Sequence, residues 1–178
     1  DISTESIKDG YWVTNPVFTE LGVQTGDKLI SIDGVAYENY SDLRRNMITA
    51  ERFTLERDGQ PITIELPVDF LGKLSTGEAL SFFELRVPFQ VGAVPDSSIN
   101  AQAGLEEGDL LKRIDQTEIT YFDEAVAALE ENKGKEVPAV VLREGRPVDL
   151  TLNISEDGKL GIFPGGTYKQ FEEMGYFD

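Results

Sequence analysis

Carboxylates are the most numerous reactive groups in this chain, 33 Asp and Glu against 16 Lys and Arg. Their spacing supports little chemistry. The adjacent pairs Glu106-Glu107, Glu130-Glu131 and Glu172-Glu173 read as solvated surface charge. No Asp-x-Asp-x-Asp-Gly run supplies the alternating oxygen ligands of a calcium loop. The chain has neither His nor Cys. That removes the commonest general base, the commonest transition-metal ligand, the thiolate nucleophile, and both Ser-His-Asp and Cys-His catalysis. Gly72-Lys73-Leu74 resembles a phosphate loop only in part. Pro67 stands where the upstream glycine is required, and Leu74 where a hydroxyl must follow Lys73. Asn39-Tyr40-Ser41 and Asn153-Ile154-Ser155 match the short N-glycosylation pattern. The residue types point to binding, with no enzyme chemistry in this chain.

The length of 178 residues suits one large domain or two small ones, and a 40% hydrophobic share is enough for a real core. No apolar run is long enough to span a bilayer. The chain starts Asp-Ile-Ser-Thr-Glu-Ser without an initiator Met, so it reads as a fragment of something longer. The formal charge of −17 is spread over both halves. Such a surface repels phosphates and anionic lipid, which argues against a nucleic-acid or membrane-surface partner. The fragment itself is expected to be monomeric.

The chain repeats itself. Gly22, Gly26-Asp27 and Ile32-Asp33 recur as Gly104, Gly108-Asp109 and Ile114-Asp115, each 82 positions on (104 − 22). The helical stretch 40–47 overlies 122–129 at the same offset. The segment 55–66, with Arg57-Asp58-Gly59, resembles 141–152, with Arg143-Glu144-Gly145, at an offset of 86 (143 − 57). A repeat this long with one small insertion indicates two copies of one domain. Each copy reads as a β-rich start, tight Gly-x-x-x-Gly-Asp turns, a strand, an amphipathic helix (41–49 or 122–132) and a closing hairpin at Asp-Gly or Glu-Gly. Each hairpin is followed by a further short apolar segment, 83–87 or 160–163, the latter expected to be a strand. The stretch 69–80 reads as a linker. The tail after Gly166 offers Tyr168, Phe171 and Met174 to one face of a short helix. About five strands and one or two helices per copy give a mainly β, α+β fold, each copy a small five- to six-stranded, partly open β-barrel with one main helix.

The order strand, Gly-Leu or Leu-Gly turn, Gly-Asp, strand, helix and Arg-x-Gly-x-Pro hairpin resembles bacterial PDZ domains in both copies, over residues 10–164. The expected domains are 10–88 and 89–164, with 165–178 a tail that leads towards the membrane in a parent protein. The resemblance implies a fold in which an extended peptide adds a strand to a sheet edge. The peptide's terminal carboxylate is then held by backbone N–H groups, and an amphipathic helix forms the facing wall. Ahead of Tyr11 there is no apolar-Gly-apolar strand, so the binding strand of each copy must come last, making both copies circular permutants. Tandem PDZ domains of this order are similar to the periplasmic region of the site-2 protease family, bacterial inner-membrane intramembrane zinc metalloproteases. The implied role is non-catalytic: gating or binding truncated membrane-protein segments, such as an anti-sigma factor in a sigma-E stress response, for regulated intramembrane proteolysis. The family's zinc belongs to an H-E-x-x-H helix of the membrane part, which this chain does not contain.

Carried onto this sequence, the second groove comprises Lys159, Leu160, Gly161, Ile162 and Phe163, facing Ala125, Val126 and Leu129. Gly158 and Gly161 free the backbone to aim N–H groups at a carboxylate, and Lys159 adds positive charge. The first groove comprises Phe83, Glu84, Leu85, Arg86 and Val87, facing Leu43 and Met47, with Leu85-Arg86-Val87 laid over Leu160-Gly161-Ile162. There Glu84 repels a carboxylate and Arg86 lacks the freedom of glycine, so this groove is expected to take internal segments or to be structural. Two alternatives stand beside this reading: the PDZ pair of a periplasmic HtrA-like serine protease, and a stand-alone peptide-binding scaffold.

Overall fold

A computed structural model describes residues 1–70 and 83–178. Most of the expected linker, from residue 71 on, lies outside the described residues. The chain divides into two compact units, Asp1–Arg86 with Phe177–Asp178, and Val87–Tyr176. Both are mainly β with short helices, an α+β architecture.

In the first unit β1 (Tyr11–Trp12) is followed by α1 (Pro16–Glu20), β2 (Lys28–Ile32), α2 (Tyr40–Met47), β3 (Arg52–Arg57), β4 (Gln60–Glu65) and β5 (Glu84–Leu85). Helix α1 starts where Asn15 accepts from the Val17 N–H (3.0 Å) and Pro16 occupies the first turn, where its missing N–H costs nothing. Strands β2, β3 and β4 form an antiparallel sheet, and β1 pairs with β5. The β3–β4 turn at Asp58-Gly59 has φ of +53° and +77°, the two left-handed positions of a tight hairpin that match strand twist. Alternation in β3 sends Phe53 and Leu55 inward, and helix α2 turns Tyr40, Leu43 and Met47 towards them. Phe18, Phe53, Phe70 and Phe83 fill the centre, with ring centroids as close as 5.0 Å between Phe18 and Phe83.

The second unit follows the same plan at greater length. It contains β6 (Gln90–Ala93), β7 (Leu110–Ile114), β8 (Thr117–Glu118), α3 (Phe122–Glu131), β9 (Glu136–Arg143), β10 (Arg146–Asn153), β11 (Phe163–Gly165) and α4 (Tyr168–Glu173). One antiparallel sheet runs β10-β9-β7-β6-β11, with β8 attached to β7. Leu111, Ile114, Val141 and Leu152 from the sheet and Ala125, Ala128 and Leu129 from α3 share one buried core. The bulges also correspond, falling between Leu29 and Ser31 in β2 and between Leu111 and Arg113 in β7.

A buried ion pair recurs in both units. Asp27 accepts from Arg57 Nε (2.7 Å) and Nη2 (2.7 Å), and Arg57 Nη2 also reaches the Gly22 carbonyl (2.8 Å). Asp109 accepts from Arg143 Nε (2.9 Å) and Nη2 (2.9 Å), and Arg143 Nη2 reaches the Gly104 carbonyl (2.7 Å). The same carboxylates take the N–H groups of Gln24 and Glu106 and so close the Gly-Asp turns. Both guanidinium pKa values are raised, chiefly by the hydrogen bond to the aspartate.

Two expectations about the late segments need correction. The expected strand at 160–163 begins only at Phe163, because Gly161 has φ of +72°, a left-handed residue that breaks an extended run. The laying of Leu85-Arg86-Val87 over Leu160-Gly161-Ile162 also fails. Tyr11 and Val91 hold the same place, each accepting from the glycine of the Gly-Asp turn (Gly26 at 2.8 Å, Gly108 at 2.7 Å). Leu85 pairs with Tyr11 and Pro164 with Val91, so Leu85 answers to Pro164. By that register Leu160, Gly161 and Ile162 answer to 81–83, of which 81 and 82 lie outside the described residues.

The tail forms α4, closed by reciprocal bonds between Thr167 and Gln170. Tyr168 and Phe171 are buried, but Met174 lies past the last helical residue and is 64% exposed. Tyr176 donates to the Thr120 carbonyl (2.6 Å) and anchors the tail to the second unit. No helix among the described residues is long and apolar enough to cross a membrane.

Candidate functional site

The second unit carries a cleft of about 470 Å³ between α3 and the segment that ends in β11. Phe122, Val126 and Leu129 form the helical wall, and residues 158–164 the opposite one, with Phe89 and Pro95 closing the end. Helical spacing explains the first wall: positions 122, 126 and 129 rise along one stripe of α3. Val126 remains 41% exposed, so this stripe is incompletely covered by the protein itself. Phe89 stacks on Phe122 with centroids 4.9 Å apart and planes at 10°, which fixes the floor near the helix start.

The segment opposite is held in shape by side chains away from the cleft. Ser155 takes the Lys159 N–H on its hydroxyl (2.9 Å) and the Gly158 N–H on its carbonyl (3.0 Å). Its own N–H donates to the Lys159 carbonyl (2.9 Å). The Ser155 hydroxyl in turn bonds Asp157, which lowers that carboxyl's pKa. Asn100, fully buried, donates through Nδ2 to the carbonyls of Leu160 (2.8 Å) and Asn153 (2.8 Å), while its Oδ1 accepts from the Asn153 N–H (2.7 Å). Ser98 adds a bond to the Leu160 carbonyl (3.3 Å).

These restraints determine where the remaining donors point. In a planar trans peptide the C=O and N–H are opposed. Fixing the Lys159 carbonyl on Ser155 turns the Leu160 N–H the other way. Fixing the Leu160 carbonyl on Asn100 turns the Gly161 N–H away from the interior. The N–H groups of Leu160, Gly161 and Ile162 find no acceptor among the described residues. Successive unpaired N–H groups around a left-handed glycine form a concave anion site. A side chain at Gly161 would be strained by φ of +72° and would meet Ser98 Oγ at 2.9 Å. Lys159 lies exposed beside this loop.

Of the second-groove residues read from sequence, Lys159, Leu160, Gly161, Ile162, Phe163, Val126 and Leu129 all line the cleft. Ala125 does not: it is fully buried in the core behind the helix. The N–H groups of Gly158 and Lys159 are engaged on Ser155, so the donor set is the next three residues. Sequence reasoning missed Phe89, Pro95 and Pro164 in the lining and Asn100 behind it. Phe122 had a sequence signal, since it heads the apolar helical stripe; a single Asn in a loop had none.

The first-unit residues meet differently. Phe83 is buried among Tyr11, Phe18 and Phe53, and its carbonyl accepts from the Tyr40 hydroxyl (2.7 Å). Leu43 and Met47 are buried, so the helix offers a ligand no apolar face at those positions. Glu84 and Leu85 pair with β1, and Arg86 Nη1 donates to the Asp9 carbonyl (3.0 Å). Val87 falls in the second unit, where its carbonyl accepts from the Phe122 N–H (2.6 Å). Burial pushes the Tyr40 phenol up to about 12, with Arg44 opposing and Glu84 adding to the rise. Of the two glycosylation patterns, Asn39 is exposed, whereas Asn153 sits half-buried in β10 with its Nδ2 on the Ile99 carbonyl (3.4 Å).

Among the described residues no group of three or more His, Cys, Asp or Glu side chains is placed to hold a metal ion. A comparison with models of known protein families gave no match for this chain.

Proposed function

We propose that the chain is a non-catalytic pair of circularly permuted PDZ-like domains whose second member binds the free carboxyl terminus of a peptide. One observation carries this reading. An apolar cleft ends at three consecutive N–H groups that have no acceptor among the described residues, beside a lysine and next to β11, an edge strand of its sheet. A terminal carboxylate satisfies the donors, and an apolar terminal side chain fills the space between Leu129, Leu160 and Ile162. The pairing of the last strand with the first in each unit supports the permuted order. By its resemblance to the regulator of sigma-E protease, a site-2 protease, the pair belongs to the periplasmic part of an inner-membrane zinc metalloprotease. There it gates or binds membrane-protein segments shortened by an earlier cut, and the zinc and its chemistry reside in the membrane part.

Titrating the chain with hexapeptides that end in valine, as free acid and as amide, tests the reading. The free acid is expected to shift the amide resonances of Leu160, Gly161 and Ile162, and Leu129→Arg to abolish the response while the core resonances of Val141 and Leu152 persist. Equal responses to acid and amide would remove the carboxylate loop from the account.

A further inference from the structure

Strand β11 is weakly held by its own sheet. It is three residues long, pairs with β6 alone among the described strands, and changes register between Phe163 and Pro164. Its proline has no N–H to give. The tail supplies what the sheet does not. A Cβ added at Gly165 would meet the Gly92 Cα at 2.8 Å, and one at Gly166 would overlap the Phe171 ring. The end of β11 therefore abuts β6 at one residue and α4 at the next. Phe171 itself is buried.

The far end of the tail reaches the other wall of the cleft. Tyr176 donates its hydroxyl to the Thr120 carbonyl (2.6 Å). The N–H groups of Thr120 and Tyr121 both donate to the Glu124 carboxylate in the first turn of α3 (3.0 and 2.8 Å), which ties Thr120 to that helix. Lys112 of β7 donates to the Tyr176 oxygen (3.3 Å) and lies 5.2 Å from its ring centroid, a second hold on the phenol. The Tyr176 N–H returns to the Phe171 carbonyl (3.0 Å), and the two rings are 6.1 Å apart. Residues 166–176 thus run from the segment that forms one wall to the start of the helix that forms the other.

We infer that the tail is a strap, locked by Tyr176, that sets the width of the cleft, and that cleft occupancy and tail docking favour each other. With the strap docked, Phe171 and Tyr176 fix β11 relative to α3. With the strap released, β11 keeps only its short pairing with β6. The 158–164 wall then stays held near Leu160 by Asn100 and Ser155 but is free to move at its β11 end. A peptide that touches both walls binds the fixed form better, and by linkage it tightens the tail by the same factor. Whatever pulls residues 166–176 off the second unit therefore weakens its grip on the peptide. Tyr176 acts as a positioning residue and touches no ligand. The linkage rests on the peptide-binding reading above; the width does not.

Because the chain has no Cys, two nitroxide labels can report the width without a ligand. Val126→Cys and Phe163→Cys, both exposed, place one label on each wall. The labelled chain is expected to give one narrow distance distribution. Tyr176→Phe is expected to broaden it, and Tyr176→Ala to broaden it further, with the core resonances of Val141 and Leu152 retained. In the unlabelled chain, a saturating valine-ended hexapeptide is expected to slow hydrogen exchange at the Met174 and Tyr176 amides about threefold or more. Tyr176→Phe should speed that exchange and weaken the peptide by up to about fivefold, the factor that one net hydrogen bond supplies. A width unchanged by Tyr176→Phe, or tail amides indifferent to a bound peptide, overturns the strap and leaves the receptor standing. No response to any peptide at Leu160, Gly161 and Ile162 overturns the receptor and the linkage, while the labels still decide the strap. Where Tyr176→Ala folds poorly, Tyr176→Phe decides.

Discussion

Replacing Asp109 by Ala tests whether the buried ion pair holds the second unit together. Asp109 is 0% exposed and accepts from Arg143 Nε and Nη2, both at 2.9 Å, and from the Glu106 N–H at 2.9 Å. Its removal leaves the Glu106 N–H without its acceptor, at about 1–3 kcal/mol if water does not replace it. The two charge-assisted bonds are worth less than their fully buried value, because the Arg143 side chain is 30% exposed and keeps the Glu106 carboxylate at 2.6 Å. The expected loss is about 2–4 kcal/mol, or roughly 10–20 °C in melting temperature for a unit of this size. Urea unfolding of the whole chain, followed at the amides of Val141 and Leu152, reads the effect. The one tryptophan, Trp12, lies in β1 and reports the first unit, where Asp27→Ala is the matching perturbation. Glu106→Ala serves as the control, since that carboxylate is largely exposed and its loss should cost no more than about 1 kcal/mol. An Asp109→Ala loss no larger than the control would refute the reasoning and reduce the pair to a screened surface contact.

The phenols of Tyr40 and Tyr176 are both pushed up to about 12, mainly by burial. Their protonated forms are favoured by folding, so this contribution is intact below pH 10 and is lost as pH rises from about 10 to about 12; absorbance at the phenolate band should show a late step that Tyr40→Phe and Tyr176→Phe each diminish. Gly161→Ala meets both the left-handed φ and the Ser98 contact, so it should cost about 1–2 kcal/mol of stability and weaken peptide binding by more than Gly22→Ala, which meets no neighbour. Asn100→Ala should loosen the Leu160 carbonyl, raise hydrogen exchange at Gly161 and weaken binding, while Ser155→Ala should expose the Lys159 amide to exchange and leave that of Gly158, held by a backbone carbonyl, protected.

What sequence made legible was local. The hairpins at Asp58-Gly59 and Glu144-Gly145 follow from residues that tolerate positive φ between alternating strands, and α2 and α3 from apolar spacing. The repeat offset made β2 and β7 equivalent, and the structure adds a bulge at the same position of each. Non-local facts were hidden. Helical periodicity put Ala125 and Val126 together, but which of the two faces the core depends on how α3 sits on the sheet. The Gly-Asp turn was visible, yet its carboxylate is bonded to an arginine in a strand 34 positions later. Gly161 permits either extended or left-handed backbone, and its left-handed state goes with non-local bonds from Asn100, Ser98 and Ser155 to the residues before it.

The two units differ in how the last segment of each is held. In the second unit Asn100 is buried with three hydrogen bonds, and a buried amide of that kind is tolerable only because its partners are fixed. Those partners are the Leu160 and Asn153 backbones, so the cost of burying it is offset by a loop that keeps its donors outward. In the first unit the ring of Phe18 packs on Phe83 at 5.0 Å. The Phe83 carbonyl is then met by the Tyr40 hydroxyl, a group from the helix that would otherwise form the wall of a groove. The second unit thus keeps an open cleft, whereas in the first the Tyr40–Phe83 bond ties the helix directly to the last segment.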